Sequence, residues 1–345
     1  MSDKKKMGFF QKTKNMTDTN LLLAITMIVF FAMYIGAIIF EGKGFLKAQT
    51  FLNMLNANAA LIIASCGMSI VMITGSIDIS VGGVAALVSM CCAVYLDYHG
   101  GNVVTAIFIS LGIGLLFGLV QGYLVAYLDI QPFIVSLAGM FFARGMTTIV
   151  NTEPFNVQNE AFVKLKETRV IVPGLGSVNK LGKYVNAYVE IGVVVALILV
   201  IVLFCMLRWS KSGRNFYAVG GNQQSALMLG INVKKTKFMA HLLCSLLAGI
   251  GGFVYFMHVG SGSASHATGM EMNAIASSII GGTMLTGGVG NIIGTLFGVL
   301  SLSTIQNIVS SAGLDQAWWT GITIAAMLCL FLVIQSVVMS RKKKA

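Results

Sequence analysis

Apolar stretches of about 20 residues recur along this chain, and they constrain its fold more than any other feature. A helix needs about 20 apolar residues to cross the hydrocarbon core of a bilayer. On this basis the sequence predicts ten spans, near residues 21–40, 51–74, 82–97, 103–128, 131–150, 187–207, 238–258, 272–287, 290–310 and 318–339. The expected fold class is an all-α membrane protein of about ten transmembrane helices.

The composition agrees with a surface that faces lipid. Of the 345 residues, 56% are hydrophobic and only 10% are charged, whereas soluble domains carry about 25% charged residues. The first run, 21–40, is longer than the core of a secretory signal and shows no small-residue cleavage site, so it is predicted to be a retained helix. The cysteines and histidines show neither C-x-x-C pairs nor ligand spacing, and we expect no bound metal.

The lysines and arginines predict the orientation of the spans. Positive residues are retained on the cytoplasmic side of a membrane, which makes residues 1–20, the loop 208–237 and the tail 340–345 cytoplasmic around a membrane domain at 21–339. Residues 151–186 become the largest external segment, either a solvated loop or a docking site. Because this placement accounts for the net charge of +11, no nucleic-acid partner is expected. The clustered positive residues are Lys4, Lys5, Lys6, Lys12, Lys14, Arg208, Lys211, Arg214, Lys234, Lys235, Lys237, Arg341, Lys342, Lys343 and Lys344.

Two predicted helices carry glycine at every fourth position, which lets helices approach closely in lipid. The stripes are Gly114, Gly118 and Gly122 in the fourth span and Gly290, Gly294 and Gly298 in the ninth. Spans separated by five crossings run in opposite directions. The spacing therefore favours an inverted repeat of five plus five helices, a common transporter architecture.

The stretch GSIDIS, residues 75–80, places an acid between apolar runs. If Gly75 ends the second span and Ser80 caps the next helix, Asp78 lies at a helix N-terminus, where a carboxylate is stabilised. One interpretation is a cytoplasmic turn. The other, which we favour because 82–97 is short, is a discontinuous helix inside the bilayer that lines a polar path. The candidate pathway residues are Gly75, Ser76, Asp78, Ser80 and Gly82.

The cytoplasmic stretch YAVGGNQQSALMLGINVKKTKF, residues 217–238, predicts an interaction helix. Gly220 and Gly221 are expected to form a flexible break, Asn222 to cap a short amphipathic helix, and Gly230 to end it. An apolar knob of Ala226, Leu227 and Ile231 would face a partner.

The glycine-rich stretch GGTMLTGGVGNIIG, residues 281–294, lacks the lysine and the preceding strand of a phosphate-binding loop. We expect a tight turn between two helices instead, with Glu271 as a solvated acid at the start of the eighth span. Arg144, in the fifth span, snorkels outward or pairs with an acid, and the sequence leaves both open. No Walker motif occurs in the chain, so energy for transport must come from a partner or a gradient.

Four blocks of this sequence resemble the permease subunits of bacterial ABC importers for simple sugars, of the ribose, xylose and galactofuranose type. They are GSIDISVGG (75–83), PFIVSLAGMFFARG (132–145), YAVGGNQQSALMLGI (217–231) and MEMNAIASSIIGGTMLTGGVGNIIGTLFG (270–298). LAGMFFARG together with Trp318 and Trp319 is most similar to galactofuranose-type permeases. Ser76 and Ile79 depart from the family's usual glycine and leucine.

The resemblance implies a multi-pass protein of the bacterial cytoplasmic membrane that works with two ATPase subunits, a second permease chain and an external sugar-binding protein. This chain would bind no cofactor and would not be an enzyme, because ATP and magnesium belong to the ATPase. Residues 217–231 would form the coupling helix, with Gly220, Gly221, Asn222, Ala226, Leu227, Gly230 and Ile231. The helix turn would be supported by Glu271, Asn273, Gly281, Gly282, Thr283, Gly287, Gly288 and Gly290.

Three alternatives are carried forward. A permease of the same kind for a nucleoside or another small polar solute fits the same blocks. An ion-coupled secondary transporter would need several buried acids or histidines, and the sequence convincingly buries only Asp78. A membrane enzyme would need a catalytic constellation, and no nucleophile–base or metal spacing is found.

Overall fold

A computed structural model describes residues 18–41, 45–178, 184–314 and 316–344. Residues 1–17 of the predicted cytoplasmic segment, with its five lysines, lie outside these ranges, and so do the side chains of the tail 340–345. The cytoplasmic placement of both chain ends therefore stays a prediction.

The described chain folds into helices joined by short connections. The helices are α1 Asp18–Glu41, α2 Ala48–Ile73, α3 Val81–Tyr98, α4 Val103–Ala126, α5 Pro132–Val150, α6 Glu160–Glu167, α7 Ile191–Trp209, α8 Lys211–Gly221, α9 Gln223–Met228, α10 Val233–Val259, α11 Met270–Ile280, α12 Ile292–Ser311 and α13 Ala317–Lys344. Within the described ranges, nine of them are long and apolar enough to cross a membrane, namely α1 to α5, α7, α10, α12 and α13. These nine match nine of the ten predicted spans.

The predicted eighth span, 272–287, is wrong as a full-length helix. α11 has only 11 residues, and residues 281–291 form an irregular connection to α12. Apolar residues continue through this region because the connection is packed inside the protein, with Gly281, Gly282 and Thr283 buried. Hydropathy alone does not separate such a buried connection from a helix.

The centre of the bundle is built from α2, α3, α10 and α11. α2 is buried on nearly all sides, whereas α4, α5 and α13 leave most of their apolar side chains exposed. An exposed apolar face on a spanning helix is what lipid or a second membrane subunit covers. The buried centre is therefore where a polar path is to be sought.

The predicted external segment 151–186 is folded. Strand β1 (Phe155–Asn156) pairs antiparallel with β4 (Ser261–Gly262). Strand β2 (Arg169–Val178) pairs antiparallel with β3 (Tyr184–Glu190), with an irregularity between Val172 and Gly176. The predicted start of the sixth span at residue 187 lies in β3, and the helix itself begins at Ile191. The segment is thus a helix and a hairpin rather than an open loop.

The two glycine stripes pack at helix crossings, although against different partners. Gly114, Gly118 and Gly122 lie against the backbone of α10. In the second stripe, Gly298 lies against Ser277 of α11 and Gly294 against Gly281, which caps the end of α11, while Gly290 falls outside the helix. α4 also packs on α3 and α10, and α12 on α11 and α2. That pairing is the one an inverted repeat predicts, and the repeat remains a hypothesis.

Candidate translocation site and coupling surface

Asp78 lies at a buried break between two helices. α2 ends at Ile73, Gly75 turns the chain with φ of +80°, and α3 begins at Val81. Asp78 is 0% exposed. Its Oδ1 accepts hydrogen bonds from the backbone N–H of Ser80 at 2.9 Å and from the Ser80 hydroxyl at 2.6 Å.

The structure reverses the predicted capping roles of Asp78 and Ser80. Ser80 occupies the N-cap position of α3, but its side chain accepts no hydrogen bond from the helix. It connects Asp78 to the amide of Gln121 on α4, whose Nε2 donates to the Ser80 oxygen at 2.9 Å. The carboxylate of Asp78 therefore holds the start of α3, and Ser80 transmits that contact to α4.

Two further polar side chains face Asp78 from α10, and the sequence argument missed them. Ser245 donates to Oδ2 of Asp78 at 3.5 Å. His241 lies close enough to interact electrostatically with Asp78; it is buried, and neither ring nitrogen has a hydrogen-bond partner among the described residues. Their i, i+4 spacing puts both on one face of an otherwise apolar helix, a signal that was available in the sequence.

The position of Asp78 along α10 separates the two interpretations of GSIDIS. Lys237 is the last lysine before the apolar part of α10, and Ser245 lies eight residues further on. At 1.5 Å per residue, Asp78 is about 12 Å inside that lysine along the helix axis. This supports a discontinuous helix that begins inside the protein core rather than a surface turn.

The first turn of α11 meets the first turn of α3. Glu271 is only 9% exposed, which corrects the expectation of a solvated acid. Its Oε2 has no hydrogen-bond partner among the described residues and lies so close to Gly82 that a Cβ there would overlap it. Two broken helices thus bring their N-termini, each with a nearby carboxylate, together in the core, as transporters do around a binding site.

Arg144 does not snorkel, and no acid among the described residues pairs with it. Its guanidinium donates to the carbonyl of His266 at 2.5 Å and to that of Ala267 at 2.9 Å. Ala267 has φ of +52°, a conformation that residues other than glycine seldom adopt. Burial lowers the pKa of His266, so its ring is neutral at pH 7 and lies 3.1 Å from the Ser89 hydroxyl. Arg144 and these contacts hold the connection 260–269 in one conformation.

The glycine-rich connection 281–291 forms a packed loop, so the predicted tight turn between two long helices is wrong. Gly282, Gly287 and Gly288 have φ between +76° and +88°. Gly288 donates its N–H to the carbonyl of Ile73 at 2.9 Å, which joins the loop to the end of α2. The Thr283 hydroxyl is buried and donates to Ser69 at 3.5 Å.

The helix α8 is docked on that loop through Gly220. A Cβ at Gly220 would overlap the carbonyl of Ile73 and lie 2.6 Å from the nitrogen of Gly288. Gly220 and Gly221 belong to α8, so the predicted flexible break is wrong, and the chain breaks at Asn222 instead. The end of α2, the connection 281–291 and α8 therefore meet in one tightly packed junction.

Tyr217 adds a hydrogen bond to this junction, since its hydroxyl donates to the carbonyl of Gly290 at 2.9 Å. Burial raises the pKa of Tyr217 from 10.0 to about 12. We expect Tyr217→Phe to destabilise the protein by about 1 kcal/mol and to slow transport, because α8 is held less firmly on the loop. The difference from wild type, measured by denaturation in detergent, should be constant below pH 10 and shrink as the pH rises through 12.

The exposed Tyr127→Phe, at the end of α4, is the matched control for this prediction. It removes the same hydroxyl from a surface ring and should change neither stability nor transport. Equal behaviour of the two variants would show that the Tyr217 hydrogen bond contributes nothing.

α9 forms the predicted short helix, but it presents a different surface. The side chain of Asn222 accepts from the N–H of Ser225 at 2.8 Å, and Gly230 follows the helix with φ of +76°. Ala226 is 1% exposed and cannot be part of an outward knob. The exposed apolar surface consists of Leu227, Met228 and Leu229, which are 63%, 89% and 78% exposed; we call it the α9 triad. Ile231 is half-buried.

Comparison with known proteins identifies the class. The family model described as the permease component of branched-chain amino acid transport systems matches residues 50–332. The chain belongs to this permease family. The helical membrane fold and the permease class predicted from the sequence are thereby confirmed, and a permease component is the transporting part of a larger system rather than an enzyme.

The permease is similar over most of its length to three named relatives. It is 35% identical to the inner membrane ABC transporter permease protein YjfF of Escherichia coli, over 93% of both chains. It is 34% identical to the fructose import permease protein FruG of Bifidobacterium longum, over 82% of this chain and 81% of that one. It is 32% identical to the ribose import permease protein RbsC of Escherichia coli, over 79% and 81%. No solved structure gives a significant match.

Proposed function

We propose that this permease is the membrane-spanning subunit of an ATP-binding cassette importer that carries a simple sugar into the bacterial cytoplasm. The observation that carries the proposal is the similarity, over about four fifths of each chain, to a fructose and a ribose import permease. Galactofuranose, the finer prediction from the sequence, has no support in the named relatives and remains one candidate among monosaccharides.

The Asp78 break is proposed as the inner gate of the sugar path. Asp78, Ser80 and Gln121 are buried, and Ser80 forms hydrogen bonds with both of the others; these contacts would close the path at this level. His241 and Glu271 keep buried polar atoms without partners in the described part of the chain, and such atoms are costly unless another conformation satisfies them. Alternating access would supply that second conformation, with α3 and α11 moving relative to α10.

The α9 triad is proposed as the contact with a separate ATPase subunit. The chain contains no Walker motif of its own, and a helix this short gains little from exposing three large apolar side chains to water. Movement of α9 and α8 would reach the core through Gly220 and Tyr217, because both contact the connection 281–291 and Gly220 also contacts the end of α2. ATP and magnesium would be bound by the ATPase, and this chain is proposed to bind no cofactor.

The remaining partners are a second permease chain, identical or homologous, and an external sugar-binding protein. The exposed apolar faces of α4, α5 and α13 leave room for the second chain within the membrane, with lipid covering the remainder. The paired strands β2 and β3 and the helix α6 are available to the binding protein on the predicted outer side. We propose that both termini are cytoplasmic, as the clustered lysines predict.

The buried histidine and glutamate weaken one argument against an ion-coupled transporter. Asp78, His241 and Glu271 are all buried, whereas the sequence convincingly buried only the first. Membership of the permease family favours the ATP-driven mechanism in spite of this. If uptake continued after the ATPase is inactivated and were driven by a proton gradient, the ion-coupled mechanism would be favoured instead.

One experiment tests the proposed function directly. The tagged chain is purified in mild detergent and the proteins that accompany it are identified, after which cells that express the whole set are tested for uptake of radiolabelled ribose, fructose and galactose. We expect a stoichiometric ATPase and ATP-dependent uptake of at least one monosaccharide. Purification without an ATPase, or uptake of leucine or uridine but of none of the sugars, would overturn the proposal.

A further inference from the structure

A second polar region, separate from Asp78, lies between α2, α10, α11 and the connection 260–269. It is an open cavity of about 270 Å³. Tyr255, which lines it, is ten residues beyond Ser245 on α10, so the cavity lies about 15 Å from the Asp78 level toward the predicted outer side. Its volume is just below the range of pockets that hold drug-sized ligands, about 300–1,000 Å³, which suits a single small ring.

The polar groups around the cavity include several that the fold does not use. The side-chain amide of Asn273 and the hydroxyl of Tyr255 form no hydrogen bond with any described residue. Asn58 donates through Nδ2 to the carbonyl of Met54 at 2.8 Å and to the Ser303 hydroxyl at 2.9 Å, which leaves its Oδ1 as an acceptor. Hydrogen-bond donors and acceptors are therefore presented by three different helices that line the cavity.

The charges of the lining exclude some ligands. None of the described residues that line the cavity carries a formal charge. Besides the two asparagines and the ring of Tyr255, the wall consists of Ser265, Thr268 and alanine, leucine and methionine side chains. A zwitterionic amino acid would have to leave water with both its charges unpaired, which is costly. A neutral ring with many hydroxyls can use the amides and lay its C–H face on the tyrosine.

The cavity is adjacent to the proposed path. Ala267 lines it, and the Ala267 carbonyl accepts from Arg144 at 2.9 Å and lies 3.1 Å from the Cβ position of Gly82. Gly82 is the second residue of α3, immediately beyond the Asp78 break. A ligand that leaves the cavity inward therefore meets the paired N-termini of α3 and α11.

We infer that this cavity is a binding site of the permease for one monosaccharide in transit, with Asn273, Asn58 and Tyr255 as its recognising side chains. The inference rests on the proposed function, which names sugars as the transported class, and it adds the place where the sugar is held. Asn273 is the residue to test, because its amide supports no contact of the fold.

The test measures uptake of radiolabelled ribose, fructose and galactose by the complete transporter. Asn273→Ala should raise the KM for the transported sugar about tenfold, equivalent to about 1.4 kcal/mol, with little change in maximal rate or in the amount of permease in the membrane. Asn53→Ala is the matched control, because Asn53 is exposed on the same half of α2 as Asn58 but outside the cavity. It should leave KM unchanged.

A second measurement does not depend on transport. Asn273→Cys is labelled with a membrane-impermeant maleimide, labelling of the native cysteines in wild type is subtracted, and saturating sugar should slow the reaction. If Asn273→Ala does not reach the membrane, the labelling experiment tests the binding site in its place. Unchanged KM and unprotected labelling, in a transporter that does take up sugar, would overturn the binding site alone. If the unaltered transporter takes up none of the three sugars, the proposed function fails and the sugar assignment of the cavity fails with it.

Discussion

Asp78→Asn is expected to reduce sugar uptake by about tenfold or more, without reducing the amount of permease in the membrane. Asparagine keeps an oxygen that can accept the two hydrogen bonds from Ser80, so the start of α3 stays capped. It removes the negative charge that His241 and Ser245 face. Charged groups buried in a membrane protein are costly and are retained mainly for function, so transport rather than folding should respond. Uptake of the radiolabelled substrate, corrected for membrane level, is the measurement.

Two companion variants separate charge from structure. Asp78→Ala also removes the acceptor and should destabilise the protein by about 1–2 kcal/mol, seen as a lower melting temperature in detergent. Asp97→Asn, near the other end of α3, loses the same charge but can still accept from the N–H of Gln158, as Asp97 does at 2.7 Å. It should transport normally. Wild-type uptake by Asp78→Asn would make Asp78 a helix cap and nothing more.

Met228→Asp should abolish coupling to the ATPase. Met228 is the most exposed member of the α9 triad, and a central apolar residue of an interface commonly contributes 2 kcal/mol or more to binding, about 30-fold in affinity. A charge there both removes the contact and adds a desolvation cost. We expect the ATPase to be lost on purification and uptake to fall to background, with the helices of the permease intact by circular dichroism.

Ser212→Asp is the control for the coupling surface. Ser212 is exposed in the first turn of α8, so the new charge lies on the helix that precedes α9, outside the triad, and at a helix N-terminus that tolerates it. Retention of the ATPase by Met228→Asp would exclude the triad as the docking surface. A substitution at Ala226 could not test the docking surface, because that side chain is buried and a larger one would disrupt α9 itself.

The helices were predictable because their signal is local. A bilayer requires an uninterrupted apolar run, and nine of the ten runs predicted as spans are long apolar helices in the described chain. The exception, 272–287, fails for a physical reason. Loop residues such as Thr283 and Gly288 are shielded from lipid by α2 and α8, so they need not be polar, and their sequence resembles a span.

The candidate site was predictable only in part. The GSIDIS stretch predicted a helix break that contains an acid, because a carboxylate between two glycine-flanked apolar runs is recognisable from the local sequence alone. Its environment was not predictable, since Gln121 and His241 are distant in sequence. Gln121 reaches Ser80, and His241 comes close to Asp78, only when α4 and α10 pack on α3. The direction of Ala226, inward rather than outward, likewise depends on how α9 rests on its neighbours.

The sequence by itself determined that this is a helical membrane permease, where most of its spans lie, and that one of its helices starts at an acidic break. Those properties follow from residue solubility and from helix-end chemistry, both of which act over a few residues. The tertiary structure alone decided that Glu271 is buried against Gly82, that Arg144 holds the connection 260–269 through its carbonyls, and that α8 docks on the glycine-rich loop. Such contacts join residues far apart in the chain, and their pairing is decided by which surfaces fit closely enough to exclude lipid and water.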